Sequence, residues 1–111
     1  MKTFLVLHQA PTSAMEQMAK ASPKQAKAGM DAWMAWAKQA GSAIVDLGKP
    51  LGNATAIAKG SVTRGASRIV GYSILQADSM EAVMKLLQAH PHLHPPGFGI
   101  EVLEAIPMPA T

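Results

Sequence analysis

Two segments of the sequence alternate like β-strands yet carry apolar side chains on both faces, and this constrains the fold more than any other feature. In residues 2–8, Phe4 and Val6 point to one side while Leu5 and Leu7 point to the other. The later stretch IVGYSILQ repeats the pattern. A sheet that contains these strands therefore needs cover on both faces, and helices supply it on one.

Helix-start signals mark two segments that can provide this cover. The stretch SPKQ predicts a start with Ser22 as N-cap, Pro23 at the first helical position and Gln25 completing a capping box, and Gly41 predicts the end. The stretch DSME predicts the second start, with Asp78 or Ser79 as the cap. The helical spacing of the apolar residues predicts the buried faces, which are Met30, Trp33 and Met34 on the first helix and Met80, Val83, Met84 and Leu87 on the second.

The remaining segments complete a recognisable order of elements. AIVDL and ATAIAK read as two short strands that form a hairpin or a bent pair, residues 60–67 as a polar loop, and residues 99–106 as the last strand. A helical turn is predicted at residues 14–19. The order strand, helix, strand, strand, helix, strand predicts an α+β, ferredoxin-like βαββαβ fold with a four-stranded antiparallel sheet, in one domain over residues 1–111. Both helices lie on one sheet face in such a fold, so the apolar second face predicts a homodimer packed sheet to sheet.

Composition narrows the classes of function. The chain has 111 residues and a net charge of +3. It contains no cysteine, and this absence excludes disulfides, a thiol nucleophile and thiolate zinc sites and favours a cytoplasmic location. Its basic residues are scattered without aromatic interleaving, so we expect no nucleic-acid partner. The apolar runs are short and interrupted, so we expect no membrane partner.

Three histidines alternate in the stretch AHPHLHPP, at His90, His92 and His94. Alternate residues of an extended segment face one way, so three imidazoles can in principle converge on a metal ion. The neighbouring prolines constrain the segment and no carboxylate lies nearby in sequence, so we predict no metal site and no cofactor. His92 is then either a ring packed at the helix end or a ligand-pocket residue, and His94 is exposed.

Three further residues are candidates for a ligand site. His8 ends the first strand, where its imidazole either faces a cavity between sheet and helices or sits at the rim. Tyr72 can offer its hydroxyl to a ligand or lie in the core. Asp31 either forms a surface ion pair with Lys27, four residues before it, or orients His90 for acid–base chemistry.

The last third of the chain resembles the YCII-related family, including its DGPF-containing branch. The resemblance rests on a Gly-Tyr strand, an acidic and serine helix start, a Pro-His-Leu turn and a closing Ile-Glu-Val strand followed by proline. The first strand and main helix are similar more loosely, and the DGPF tetrapeptide itself is absent. The matching residues are Gly71, Tyr72, Asp78, Ser79, Pro91, His92, Leu93, Gly99, Ile100, Glu101, Val102 and Pro107.

The resemblance implies a dimeric α+β barrel, in which two ferredoxin-like subunits pack sheet to sheet. It also implies an acid–base dyad at the positions of Asp31 and His90, with the two residue types exchanged relative to those described for part of the family. We therefore expect a protein that binds a small organic molecule in a helix–sheet cleft through His8, Tyr72 and His92, with Asp31 and His90 as candidate catalytic residues. The alternative is a non-catalytic binding or structural homodimer that has lost the dyad. The sequence decides neither the substrate nor whether the chain is an enzyme.

Overall fold

The computed structural model describes residues 1–65 and 67–109. These residues form six strands, three α-helices and two short 3-10 turns, Gly41–Ala43 and Pro91–Leu93. In chain order the strands and helices are β1 Lys2–Gln9, α1 Ala14–Lys20, α2 Pro23–Ala40, β2 Ile44–Asp46, β3 Thr55–Ala58, β4 Ser61–Arg64, β5 Ile69–Ala77, α3 Met80–Leu87 and β6 Gly99–Glu104.

Four of the strands form one antiparallel sheet in the order β2-β5-β1-β6. β1 lies between β5 and β6, with Leu5 opposite both Ile74 and Leu103. The first and last strands of the chain are thus neighbours, and the two long strands with apolar faces occupy the middle. The predicted α+β class with a four-stranded antiparallel sheet is confirmed.

The predicted pairing of the two short strands is wrong. β2 pairs with β5, while β3 pairs with β4 in a separate two-stranded hairpin. Residues 61–64, which were predicted to lie in a polar loop, are therefore a strand. The hairpin closes through a tight turn at Lys59–Gly60, where Gly60 has a φ of 82° that favours glycine. All eight residues of the two strands are exposed.

The main core lies between one face of the sheet and helices α2 and α3. Strand alternation directs Phe4, Val6 and Leu75 to this face, and Trp36 and Val83 pack on them from the two helices. Trp36 is 5% exposed and its Nε1 donates a hydrogen bond to the Leu86 carbonyl oxygen at 2.9 Å. The helices are held at this face by apolar burial, and the hydrogen bond fixes the orientation of the indole.

The buried stripe of α2 lies about a quarter of a turn around the helix axis from the predicted one. Met30 and Met34 are exposed and Trp33 is half-buried, whereas Trp36 and Ala40 are buried. The reason is that α2 carries apolar residues over two adjacent arcs, and only one of them can face the core. The capping box at Ser22 and Gln25 is confirmed, as is Ser79 as the cap of α3, while Met84, predicted to be buried, is half exposed.

The opposite face of the sheet presents a row of apolar side chains. Ile74, Leu5 and Leu103 lie side by side across three strands, and the next row holds Tyr72, Leu7 and Glu101. Leu5 and Leu103 are exposed, and neither α2 nor α3 packs on them.

Candidate functional site

A cavity of about 320 Å³ opens between β1, β5, α1 and α2. Its wall is mostly apolar and is rich in methionine, a side chain that adapts to ligands of different shape. The apolar lining consists of Ala14, Met18, Met30, Trp33, Met34, Leu47, Pro50 and Val70, and the polar lining of His8, Gln17, Lys49, Tyr72 and His92. Such a space, apolar with few polar groups, is typical of small-molecule sites.

The segment after β2 forms one side of the cavity. Its backbone runs along β5, because Leu51 N donates to the Val70 carbonyl at 2.9 Å and Tyr72 N donates to the Lys49 carbonyl at 3.4 Å. Gly48 is required here: its φ is 81°, and an added Cβ would overlap the Tyr72 carbonyl oxygen. The backbone of Lys49 is therefore fixed at the edge of the cavity.

His8 lies buried in the cavity wall with a defined tautomer. Its Nε2 is 3.2 Å from Ser73 Oγ, and that hydroxyl donates its only proton to the Leu47 carbonyl at 2.7 Å. Towards His8, Ser73 Oγ can therefore only accept, so the proton of the neutral ring is on Nε2. Nδ1 is then an acceptor, and it has no hydrogen-bond partner among the described residues.

His90 and His92 are fixed by the 3-10 turn that follows α3. His92 N donates to His90 Nδ1 at 3.0 Å, so the proton of neutral His90 is on Nε2, a buried donor without a described partner. His92 Nε2 donates to the Gln9 carbonyl at 2.8 Å and thereby ties the turn to the end of β1. These bonds account for the tautomers of both rings.

The three buried imidazoles pack with two tryptophans into one aromatic cluster. The His8 ring stacks on Trp33 at a centroid distance of 5.1 Å, and His90 lies 4.4 Å from both Trp33 and Trp36. His92 meets His8 edge to face at 5.1 Å. His8 and His92 line the cavity, whereas His90 lies behind them against the core.

Burial keeps these imidazoles neutral. It lowers the pKa of His8 to about 4, with a further contribution from His92. It lowers the pKa of His90 to about 3, with smaller contributions from His8, His92 and His94. The pKa of His92 is also lowered by burial, although the backbone groups of Gln9 and Gly99 oppose the shift.

The candidate dyad residues are not joined in this structure. The Asp31 carboxylate binds Lys27 Nζ at 2.9 Å on the exposed surface of α2. His90 is 1% exposed, and among the described residues the only hydrogen bond of its imidazole is the one from His92 N. The surface ion pair that was the simpler interpretation of Asp31 is thus present, and a catalytic role for the two residues stays a prediction.

Tyr72 borders the cavity, but its hydroxyl is engaged elsewhere. It donates to Asp46 Oδ2 at 3.3 Å, and the negative charge of Asp46 raises the pKa of the phenol. The same carboxylate accepts a hydrogen bond from Gly48 N at 2.8 Å. Asp46 therefore stabilises the turn into the cavity wall, and the Tyr72 side chain, which shares a sheet face with Leu7, offers the cavity no free hydroxyl.

Sequence reasoning missed several lining residues. Trp33, Met30 and Met34 were assigned to the core, and Lys49 was not among the candidate residues. One signal was present: the apolar arc of α2 is too wide for a single buried stripe, so part of it has to face a cavity or solvent.

In comparisons with protein-family models, curated proteins and solved structures, nothing matches the chain. Within residues 1–65 and 67–109, no helix has the length and apolar character needed to cross a membrane. The same residues contain no group of three His, Cys, Asp or Glu side chains placed to hold a metal ion.

Proposed function

We propose that this protein binds a small, largely apolar organic molecule in the cavity between its sheet and helices α1 and α2. The observation that carries the proposal is the apolar lining around His8 and His92, whose Nε2 atoms are held by Ser73 and the Gln9 carbonyl. Trp33 supplies an aromatic surface on which a planar group can stack. A preformed space of this kind binds ligand without ordering the wall first.

Binding is favoured over acid–base catalysis. A general base works best when its pKa is near the working pH, and burial lowers the pKa of His8 to about 4. Asp31, the proposed partner of His90, is paired with Lys27 instead. The imidazoles therefore act here as neutral, rigid parts of a pocket wall.

Gly29 offers a direct test. It lies in the cavity lining on α2, and a Cβ added there meets no atom within 4 Å. Gly29→Leu should place a side chain in the cavity without disturbing the fold, since replacing glycine inside a helix also favours the helix by up to about 1 kcal/mol. Ala28→Leu is the matched control, because Ala28 is an exposed neighbour outside the lining.

Binding is measured by isothermal titration calorimetry and tryptophan fluorescence with the uncharged probe 3-phenylpropan-1-ol. We expect saturable binding to the wild type and to Ala28→Leu, and its loss in Gly29→Leu with an unchanged circular dichroism spectrum. No binding to the wild type, or equal binding to both variants, would contradict the proposal.

We further propose that the chain is a YCII-like, ferredoxin-like subunit that forms a homodimer through the uncovered sheet face. The strand order β2-β5-β1-β6, with first and last strands adjacent, supports this subunit fold. The exposed row around Leu5 and Leu103 supports sheet-to-sheet packing, because burying apolar area is the main driving force of association. This is the second candidate function, a structural or binding dimer, and it is compatible with the first.

Multi-angle light scattering tests the dimer. The wild type should have twice the chain mass at micromolar concentration, and Leu103→Lys should be monomeric. Met84→Lys, which places the same charge on an exposed part of α3, should remain dimeric. A monomeric wild type, or a Leu103→Lys variant that still dimerises, would exclude this interface.

A further inference from the structure

Lys49 carries the only full charge among the described residues that line the cavity. Its backbone is held against β5 by the hydrogen bond from Tyr72 N, while its side chain is exposed. No ion pair or side-chain hydrogen bond of Lys49 occurs in the part of the chain that the structure describes. An ammonium group is thus tethered at the edge of an apolar space.

The other polar groups of the lining are already engaged. His8 Nε2 binds Ser73, His92 Nε2 binds the Gln9 carbonyl, and the Tyr72 hydroxyl binds Asp46. Gln17 Nε2 donates to the Thr12 carbonyl at 2.9 Å, and His8 Nδ1 is enclosed by protein. The Lys49 ammonium is therefore the charged donor that the described lining offers to a ligand.

No carboxylate of the described residues forms an ion pair with the Lys49 ammonium. Asp46 is held by Gly48 N and the Tyr72 hydroxyl, and Asp31 is held by Lys27. Neither residue lines the cavity. An anionic group at the cavity edge therefore meets one positive charge and no opposing negative charge within the described lining.

We propose that the cavity takes small organic acids as anions, with the apolar body against Met30, Met34 and Trp33 and the carboxylate paired with the Lys49 ammonium. This inference rests on the proposed binding function and adds its ligand class. An ion pair at a partly solvated site contributes modestly, so the charge supplies selectivity while apolar burial supplies most of the affinity.

Three probes with one apolar body isolate the contribution of charge: 3-phenylpropionate, 3-phenylpropan-1-ol and 3-phenylpropylamine. At pH 7 and low salt we expect the acid to bind about fivefold more tightly than the alcohol, and the amine to bind most weakly. Lys49→Gln should remove the advantage of the acid and leave the alcohol unchanged. Lys59→Gln, which lowers the net charge equally in the exposed β3–β4 hairpin, should keep it.

The outcomes separate the two proposals. Binding of none of the probes overturns the proposed function itself. Equal binding of all three probes, or strongest binding of the amine, leaves ligand binding intact and overturns the inference of an acid. Loss of the acid's advantage in Lys59→Gln as well would assign the selectivity to the net charge of the protein and overturn the role of Lys49.

Discussion

Lowering the pH from 7 to 5 should destabilise the fold by about 4 kcal/mol through His8 and His90 alone. The unfolded chain binds a proton at each imidazole near pH 6.5, whereas burial lowers the pKa of His8 to about 4 and that of His90 to about 3 in the fold. Below pH 6.5 the unfolded state therefore holds more protons than the folded state, and the free energy of unfolding falls with pH.

The magnitude follows from proton linkage. Each histidine that is protonated only in the unfolded state lowers the free energy of unfolding by about 1.4 kcal/mol per pH unit. Because this slope develops fully only below about pH 6.5, the loss amounts to about 1.8 kcal/mol per ring between pH 7 and pH 5. The loss begins as the pH drops below 6.5 and levels off once the pH passes below the folded-state pKa values. A domain of typical stability, roughly 5–15 kcal/mol, loses a substantial fraction of its stability in this window.

Urea unfolding followed by circular dichroism at pH 7, 6 and 5 measures this slope. His8→Gln keeps a donor for Ser73 and His90→Asn keeps an acceptor for His92 N, so the double variant should lose most of the pH dependence. His94→Gln is the control, because His94 is exposed and should leave the slope as in the wild type. A wild type equally stable at pH 7 and 5, or a double variant with an unchanged slope, would refute the buried, neutral state of these imidazoles.

Urea unfolding at pH 7 also tests two local features of the cavity wall. Gly48→Ala should lower the free energy of unfolding by more than about 2 kcal/mol, because Gly48 has a positive φ and an added Cβ overlaps the Tyr72 carbonyl. Gly29→Ala should raise the free energy of unfolding by up to about 1 kcal/mol, because the space around the new Cβ is open. Equal effects of the two would contradict the close packing of the Gly48 segment. Ser73→Ala should cost about 1–3 kcal/mol, because it leaves His8 Nε2 and the Leu47 carbonyl without their partner, and a neutral result would argue against this hydrogen-bond chain.

The elements with strong local signals were predictable. The capping box at Ser22 formed because its two hydrogen bonds join residues three apart and need no tertiary partner. The alternation along β1 predicted that Phe4 and Val6 share one face, since successive residues of a strand point to opposite faces, but it did not predict which face enters the core. The same period predicted that His8 shares this face with Phe4 and Val6, and the choice between cavity and rim was left open.

The pairing of the short strands was not predictable. The AIVDL and ATAIAK segments have similar alternation, and which neighbour each one joins depends on backbone hydrogen bonds to distant β5 or to adjacent β4. The choice between Trp33 and Trp36 as the core residue likewise depends on how α2 is rotated about its axis, and packing against α3 and the sheet decides that rotation.

The sequence by itself determined where the main helices begin, which strands have two apolar faces, and that His8 shares a sheet face with Phe4 and Val6. These are properties of neighbouring residues, and a repeat of two or 3.6 residues encodes them. Only the tertiary structure decided that His8, Trp33 and Lys49 surround one cavity, and that Ser73 and His92 N fix the tautomers of His8 and His90. The physical reason is that these groups are far apart along the chain, so their distances exist only once the sheet and α2 have packed together.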